Sequence, residues 1–293
     1  MKKFVRRVIE KLGGIAFENL FDELGDKISN SQEIQVLLTQ HYKSLLAGDQ
    51  RPLPSFEEVG FRCHSQFEED GILLYLFSII GATNRTAVEI CAGDGIQCNT
   101  ANLIINHGWK GFLFDGELNN VEKGQKYYAA NKKTFLWPPA FTQAWITAEN
   151  VNEILKSAGV QGKIDLLSLD IDGMDYWVWK AIDCIQPRVI VCETHNVIPS
   201  EKALTVPYDA GFVVKTPDYH SASLAAMAKL AAEKGYRLVG THRYGFNAFF
   251  VRNGIADGLL PAVSAASCLQ HPYSKHARDV RWPKVKDLKW IEV

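Results

Sequence analysis

From residue 86 onward the chain alternates short apolar runs rich in β-branched residues with longer stretches of helical periodicity. The pattern predicts strands near 87–91, 111–115, 141–147, 164–170 and 188–193, and helices near 97–107, 119–130, 149–158, 174–183 and 221–234. Alternation of this kind builds a parallel sheet covered by helices on both faces. Beyond Gly235 the pattern changes. YRLVGTH and FNAFFVR are separated only by RYG, and so short a connection cannot join parallel strands, so the last strand is predicted to run antiparallel. Nucleotide-dehydrogenase sheets are wholly parallel, and the hairpin therefore points to a different α/β family.

Upstream, helical periodicity runs through Phe4, Val5, Ile9 and Leu12, then through Ile34, Val36, Leu37 and Leu38, with a break around Ser29, Asn30 and Ser31. Two helices forming a cap or packing arm are expected, followed by an extended linker at RPLPS, residues 51–55. The basic first helix suits a membrane surface or, more simply, a solvated charged face. Ser65 and Glu68 have capping-box spacing ahead of an apolar run, which predicts a helix starting there. The tail reads as partly docked, with a basic lip over an anionic substrate as the second reading. The chain thus divides into a cap and linker (1–60), the main α/β domain (61–255) and the tail (256–293).

Composition adds mainly exclusions. A hydrophobic content of 47% and a charged content of 22% suit a soluble globular protein. The net charge of −1 gives no general pull towards nucleic acid or anionic lipid. No apolar run is long enough for a transmembrane segment, and Glu10, Lys11 and Glu18 interrupt the start too early for a signal peptide. Six scattered cysteines without a CxxC pair suit reduced thiols in a cytoplasmic protein. A homo-oligomer is left open.

Candidate chemistry gathers first at RTAVEICAGDGIQCN, residues 85–99. A buried strand containing Glu89 runs into Gly93 and Gly95, and a helical pattern begins just past Asn99, making a cradle where backbone can approach a ligand. Pyrophosphate sites want GxGxxG and no acid in the loop, whereas here the third glycine is missing and Asp94 sits between the other two. An acidic loop suits a cationic ligand such as S-adenosylmethionine, with its sulfonium and α-amino group. Asp115 ends the next apolar run, where ribose hydroxyls are usually held. A tight turn without a ligand is the plainer alternative. Gln66, Glu69 and Asp70, near the first turn of the preceding helix, either face this turn or complement the helix dipole.

The second constellation is IDLLSLDIDGMDYWVWKAI, whose strand delivers Asp170 and Asp172 at its carboxyl end. The following strand, RVIVCETHN, ends in Glu193, His195 and Asn196. Ligands of open α/β sheets bind at such carboxyl ends. Asp170, Asp172 and Glu193 could hold Mg²⁺, Mn²⁺ or Ca²⁺, hydrogen-bond a sugar, or supply a base. Helix capping by Asp172 and Asp175, with Glu193 in a salt bridge, is the alternative. Tyr176, Trp177 and Trp179 read mostly as core, with one ring available to floor a pocket. The loop 197–220 reads as a lid or substrate loop, and His220 near its end as a base or a cap.

VEICAGDG, GFLFDGE, DLLSLDIDGMDYWVW and the hairpin ending NAFFVR, together with SQFEEDG and YHSASL, resemble the FkbM-like S-adenosylmethionine-dependent methyltransferases, particularly members associated with surface polysaccharide and glycan synthesis. The resemblance covers roughly residues 62–252. It implies a Rossmann-like seven-stranded sheet, with the cofactor over the first two strands and the acceptor over the fourth and fifth. Glu89, Gly93, Asp94 and Gly95 match the first-strand motif, Asp115 the ribose-binding acid, and Asp170 with Asp172 the acidic pair after the fourth strand. Cys91 departs from the pattern, standing where the commonest motif has a glycine; so does ETHN, where relatives have a glutamate, an aromatic and an asparagine.

The expectation is an O-methyltransferase acting on a sugar hydroxyl, in a glycan or its activated precursor. Catalysis would be in-line positioning helped by a base or metal, with His195, Asp172, Glu193 and His220 as candidates. Gln66, Glu69, Glu89, Gly93, Asp94, Gly95, Asn99, Asp115 and Asp170 are the cofactor candidates. A non-catalytic methyltransferase-like module binding glycan or protein is the alternative.

Overall fold

The computed structural model describes residues 32–47 and 53–293. The first expected helix, the break at 29–31 and the start of the linker lie outside the described residues. The second expected helix is present as α1 (Gln32–Ala47), followed by a single turn, α2 (Phe56–Val59), and by α3 (Glu69–Ile80). The main sheet contains β1 (Thr86–Ile90), β2 (Lys110–Asp115), β3 (Ala140–Gln143), β4 (Gly162–Leu169) and β5 (Ile185–Glu193), separated by α4 (Ala101–His107), α5 (Leu118–Ala130), α6 (Val151–Ser157) and α7 (Asp175–Ala181). A short β6 (Leu204–Thr205) and α8 (Leu224–Glu233) lead to β7 (Tyr236–Thr241) and β8 (Asn247–Arg252), and β9 (Ile291–Glu292) closes the chain.

The seven-stranded sheet has the order β3-β2-β1-β4-β5-β8-β7. β8 runs antiparallel to both neighbours, its pairing with β7 being the one the RYG connection required, and the other pairings are parallel. This is the methyltransferase-type sheet that the resemblance implied. The chain builds outward from β1 to β3, then restarts at β4 on the other side of β1. The carboxyl ends of β1 and β4 therefore flank the switch point at which open α/β sheets bind ligands.

Alternate residues of the central strands feed two cores. Val88, Ile90, Leu167, Leu169 and Ile190 pack with Trp179, Met227 and Phe250 on one face. Ala87, Leu113, Leu166, Val189 and Phe249 pack with Tyr42, Ile72, Tyr75 and Leu103 on the other. Each fully buried Val, Leu, Ile, Met or Phe among them contributes roughly 1.5–3 kcal/mol. Helix α3 is buried from Glu69 to Ile79, which explains its nearly unbroken apolar sequence.

Three local expectations are corrected. The Ser65–Glu68 capping box does not form: α3 starts at Glu69, because the Ser65 hydroxyl and the Cys63, His64 and Ser65 amides all donate to the Asp70 carboxylate. Helix α4 starts at Ala101 rather than 97, since Thr100 N–H is drawn to Glu89. β3 stops at Gln143, which frees Trp145 and Ile146 to line a cleft.

The tail is docked. β9 pairs antiparallel with β6, Trp290 packs edge-on against Tyr219, and Arg281 is paired with Asp218. These contacts brace the loop 197–220 from outside. No helix among the described residues is long and apolar enough to cross a membrane.

Candidate active site

The turn after β1 is held by the end of β2. Asp115 Oδ2 accepts the Gly93 N–H at 2.8 Å, while Oδ1 accepts from Glu117 N–H at 2.9 Å and Asn120 Nδ2 at 3.0 Å. Three of a carboxylate's roughly four acceptor positions are thus filled, leaving one for a ligand. Cys91, Gly93 and Gly95 all lie in the left-handed region, with φ of 62°, 57° and 69°. The glycine at 95 is also a close-approach requirement, because a Cβ there would stand 2.5 Å from the Phe141 ring.

Asp94 does not offer the unpaired negative charge that the sequence suggested. Lys123 on α5 pairs with it and, despite its burial, helps hold its carboxyl below the usual range. Glu89 and Asn99 lie beneath the turn, bonded to protein. Ser168 Oγ donates to Glu89 Oε1 at 2.6 Å, Thr100 N–H donates to Oε2 at 2.8 Å, and Asn99 Nδ2 donates to Ser168 Oγ at 3.0 Å. Glu69 reaches the β5–β8 end of the sheet instead of the glycine turn, accepting from Asn247 Nδ2 at 2.9 Å. Asn247 is the strand partner of Glu193. Gln66 is exposed.

The second constellation converges as expected. One carboxylate oxygen each from Asp170, Asp172 and Glu193 lies within 4.8 Å of the others. Asp175 fixes the turn that delivers the pair, accepting Ile171 N–H at 2.8 Å and Gly173 N–H at 3.2 Å, and so holds Asp172 at a φ of 52°. Burial, then the neighbouring Asp175 and Asp172, push Asp170 well above the carboxylate range. Burial and then Asp170 do the same to Glu193, and burial lifts Asp175 to about 6. No lysine or arginine among the described residues pairs with Asp170, Asp172 or Glu193. The cluster is therefore short of positive charge.

A chain of polar groups runs from Glu193 into the loop. Ser221 Oγ donates to Glu193 Oε2 at 2.6 Å and is 2.9 Å from His220 Nδ1. When Glu193 is ionised, the Ser221 hydroxyl gives it its hydrogen and accepts from His220, which puts the proton on Nδ1 and leaves Nε2 as the basic face. Burial lowers the His220 pKa while Asp172 raises it. His195, the other candidate base, is buried behind: its Nε2 meets the Asp218 carbonyl at 2.9 Å, and burial lowers its pKa to about 3. Its ring lies 4.4 Å from that of His220, which it supports.

Between the two constellations opens a cleft of about 290 Å³ lined by Cys91, Gly116, Trp145, Ile171, Asp172 and Phe212, among others. Trp145 Nε1 donates to the Ala210 carbonyl at 2.8 Å, tying the loop over the cleft. Phe212 seats on Gly173, where a Cβ would stand 2.4 Å from its ring. Trp177 donates to the Val206 carbonyl at 2.9 Å and so braces the loop. A larger cavity of about 360 Å³, between residues 53–57 and β7, contains none of the clustered acids. Sequence reasoning missed Ser221, although it stands beside the chosen histidine in YHSASL, and missed Trp145 and Phe212, which carry no local signal.

No protein-family model matches the sequence, and no curated protein matches it. Among solved structures, magnesium protoporphyrin IX methyltransferase (ChlM) from Synechocystis PCC 6803 with bound SAM is 14% identical, with 86% of this chain and 97% of that one covered and a TM-score of 0.39. The N-terminal domain of EvdMO1 in the presence of SAH and D-fucose is 14% identical, covering 73% of this chain and 93% of that one, at a TM-score of 0.42. The bifunctional kinase-methyltransferase WbdD is 16% identical over 57% of this chain and 34% of its own, at a TM-score of 0.34. What the site can do follows from its own geometry.

Proposed function

We propose that the protein is an S-adenosylmethionine-dependent O-methyltransferase acting on a sugar hydroxyl, in a glycan or its activated precursor. One observation carries the reading. Among the described residues, Asp170, Asp172 and Glu193 have no lysine or arginine partner at the same sheet edge as the Gly93–Gly95 turn and Asp115. A ligand with a ribose and a cationic amino acid end answers both halves of that edge. Bound there, the cofactor supplies an electrophilic methyl group.

The chain's own residues do the rest. Asp115 keeps one acceptor position for a ribose hydroxyl, and Trp145, Ile171 and Phe212 give apolar walls to a flat base. Asp172 and Glu193 accept hydrogen bonds from sugar hydroxyls. His220 Nε2 takes the proton of the reacting hydroxyl, its orientation held by Ser221. The three carboxylates also meet the oxygen preference of Mg²⁺, Mn²⁺ or Ca²⁺, and such an ion held by them would lower the pKa of a bound hydroxyl. The domain would span residues 61–255 with the tail docked on it. Six free cysteines suit a cytoplasmic setting.

The test is calorimetry with S-adenosylmethionine, followed by methyl transfer to a panel of sugar acceptors. His220→Ala should leave cofactor affinity unchanged and lower kcat by roughly 10²–10⁴, the usual contribution of a general base. The absence of cofactor binding would end the proposal. Binding of cofactor and glycan without turnover would favour the non-catalytic module. Undiminished turnover in His220→Ala, with complete loss in a chelator, would transfer the hydroxyl's activation to a metal.

A further inference from the structure

The turn leading into β3 presents three consecutive large apolar side chains to solvent: Phe135 at 53% exposure, Leu136 at 82% and Trp137 at 71%. Single exposed apolar residues are ordinary, but three on one tip require an explanation. The tip is rigidly built. Thr134 and Phe135 N–H donate to the Asn131 carbonyl at 3.0 and 2.9 Å, and Trp137 N–H donates to the Thr134 carbonyl at 2.9 Å. The buried Thr134 hydroxyl donates to the Tyr128 carbonyl at 2.7 Å, and two prolines follow directly. The side chains are therefore held outward by a fixed backbone.

Lys132 lies just before the tip and Lys126 further back on α5, and both are exposed; the Lys133 ammonium beside them is tied to Asn106 Oδ1 at 2.6 Å. Between Glu122 and Glu149 the chain carries no acid. We propose that this tip docks the protein on an anionic lipid bilayer. Trp137, Phe135 and Leu136 enter the boundary between headgroups and acyl chains, where aromatic rings concentrate. Lys132 and Lys126 meet lipid phosphates, their stems lying along the apolar tip. The net charge of −1 gives no general attraction to such a surface, but the local run does. A second copy of the chain is a poorer occupant: a stable dimer buries about 800 Å² on each partner, far more than a three-residue convex tip offers. The tip stands at the amino-terminal end of β3 and the cleft at the carboxyl ends, so docking leaves the cleft facing away from lipid.

The experiment is co-sedimentation of the full chain with phosphatidylcholine vesicles and with phosphatidylcholine–phosphatidylglycerol vesicles. The wild type should pellet with the anionic vesicles and lose that binding as salt rises. The triple variant Phe135→Ser, Leu136→Ser, Trp137→Ser should bind roughly tenfold or more weakly, since its apolar insertion is gone. Both proteins keep the basic N-terminal sequence, so a difference between them belongs to the tip. Unchanged cofactor binding and thermal midpoint confirm that the variant is folded; Lys132→Glu, a surface change, gives an independent second loss on anionic vesicles. Equal binding by wild type and triple variant, or no binding by the wild type, overturns the proposal. A concentration-dependent dimer abolished by the triple variant, without vesicle binding, overturns it in favour of a second copy.

Discussion

Asp170→Asn should make the unliganded protein more stable while weakening its hold on the cofactor. The carboxyl of Asp170 sits beside Asp175, Asp172 and Glu193, and burial with those neighbours pushes its pKa well up. Asp175, in the same cluster, gives the scale: its rise from 3.8 to about 6 corresponds to about 3 kcal/mol, at about 1.36 kcal/mol for each tenfold. An asparagine removes one charge from this field and keeps an oxygen for the Asp172 N–H that Asp170 accepts. A gain of about 1–3 kcal/mol is expected at pH 8, or roughly 2–8 °C in Tm. The sign follows from linkage. A carboxyl whose folded pKa is raised costs nothing below its unfolded value, costs more as pH rises from there, and reaches its full cost above the folded value. The gain from Asp170→Asn must therefore be larger at pH 8 than at pH 5. Calorimetric melting of both proteins at the two pH values measures it, and titration at pH 8 should show affinity for S-adenosylmethionine weaker by about 1–3 kcal/mol. An equal gain at both pH values would show that charge repulsion is not the cause. A loss of stability at pH 8 would refute the reasoning outright.

Two further substitutions test the glycine turn. Cys91 holds a φ of 62°, which strains a side chain with a Cβ; Cys91→Gly should relieve it for a net gain of up to about 1 kcal/mol in urea unfolding, after the added freedom of the unfolded chain. Gly124→Ala would place a Cβ 2.4 Å from the Phe141 ring and 2.6 Å from the Asp94 carbonyl. It should lose about 1–3 kcal/mol of stability by overpacking and weaken cofactor binding by displacing the turn.

Much of this architecture was legible along the chain because it depends on neighbours in sequence. The periodicities set the order of strands and helices, and RYG alone required β7 and β8 to run antiparallel to each other. Two polar clusters at strand carboxyl ends were legible too, since parallel strands all present that end to one edge. Contacts between distant residues were not. Nothing local says that Lys123 covers the charge of Asp94, or that Ser65 exchanges hydrogen bonds with Asp70 rather than with Glu68. The two histidines make the point most plainly. His195 stood beside Glu193 in the sequence and His220 lay at the far end of a long loop, yet folding buries the first behind the second and joins His220 to Glu193 through Ser221. The sequence determined which chemical groups reach the edge of the sheet. Which of them faces the cleft, with which proton and beside which charge, was decided by the tail and the loop closing over it, because burial and hydrogen-bond partners exist only once those distant segments meet.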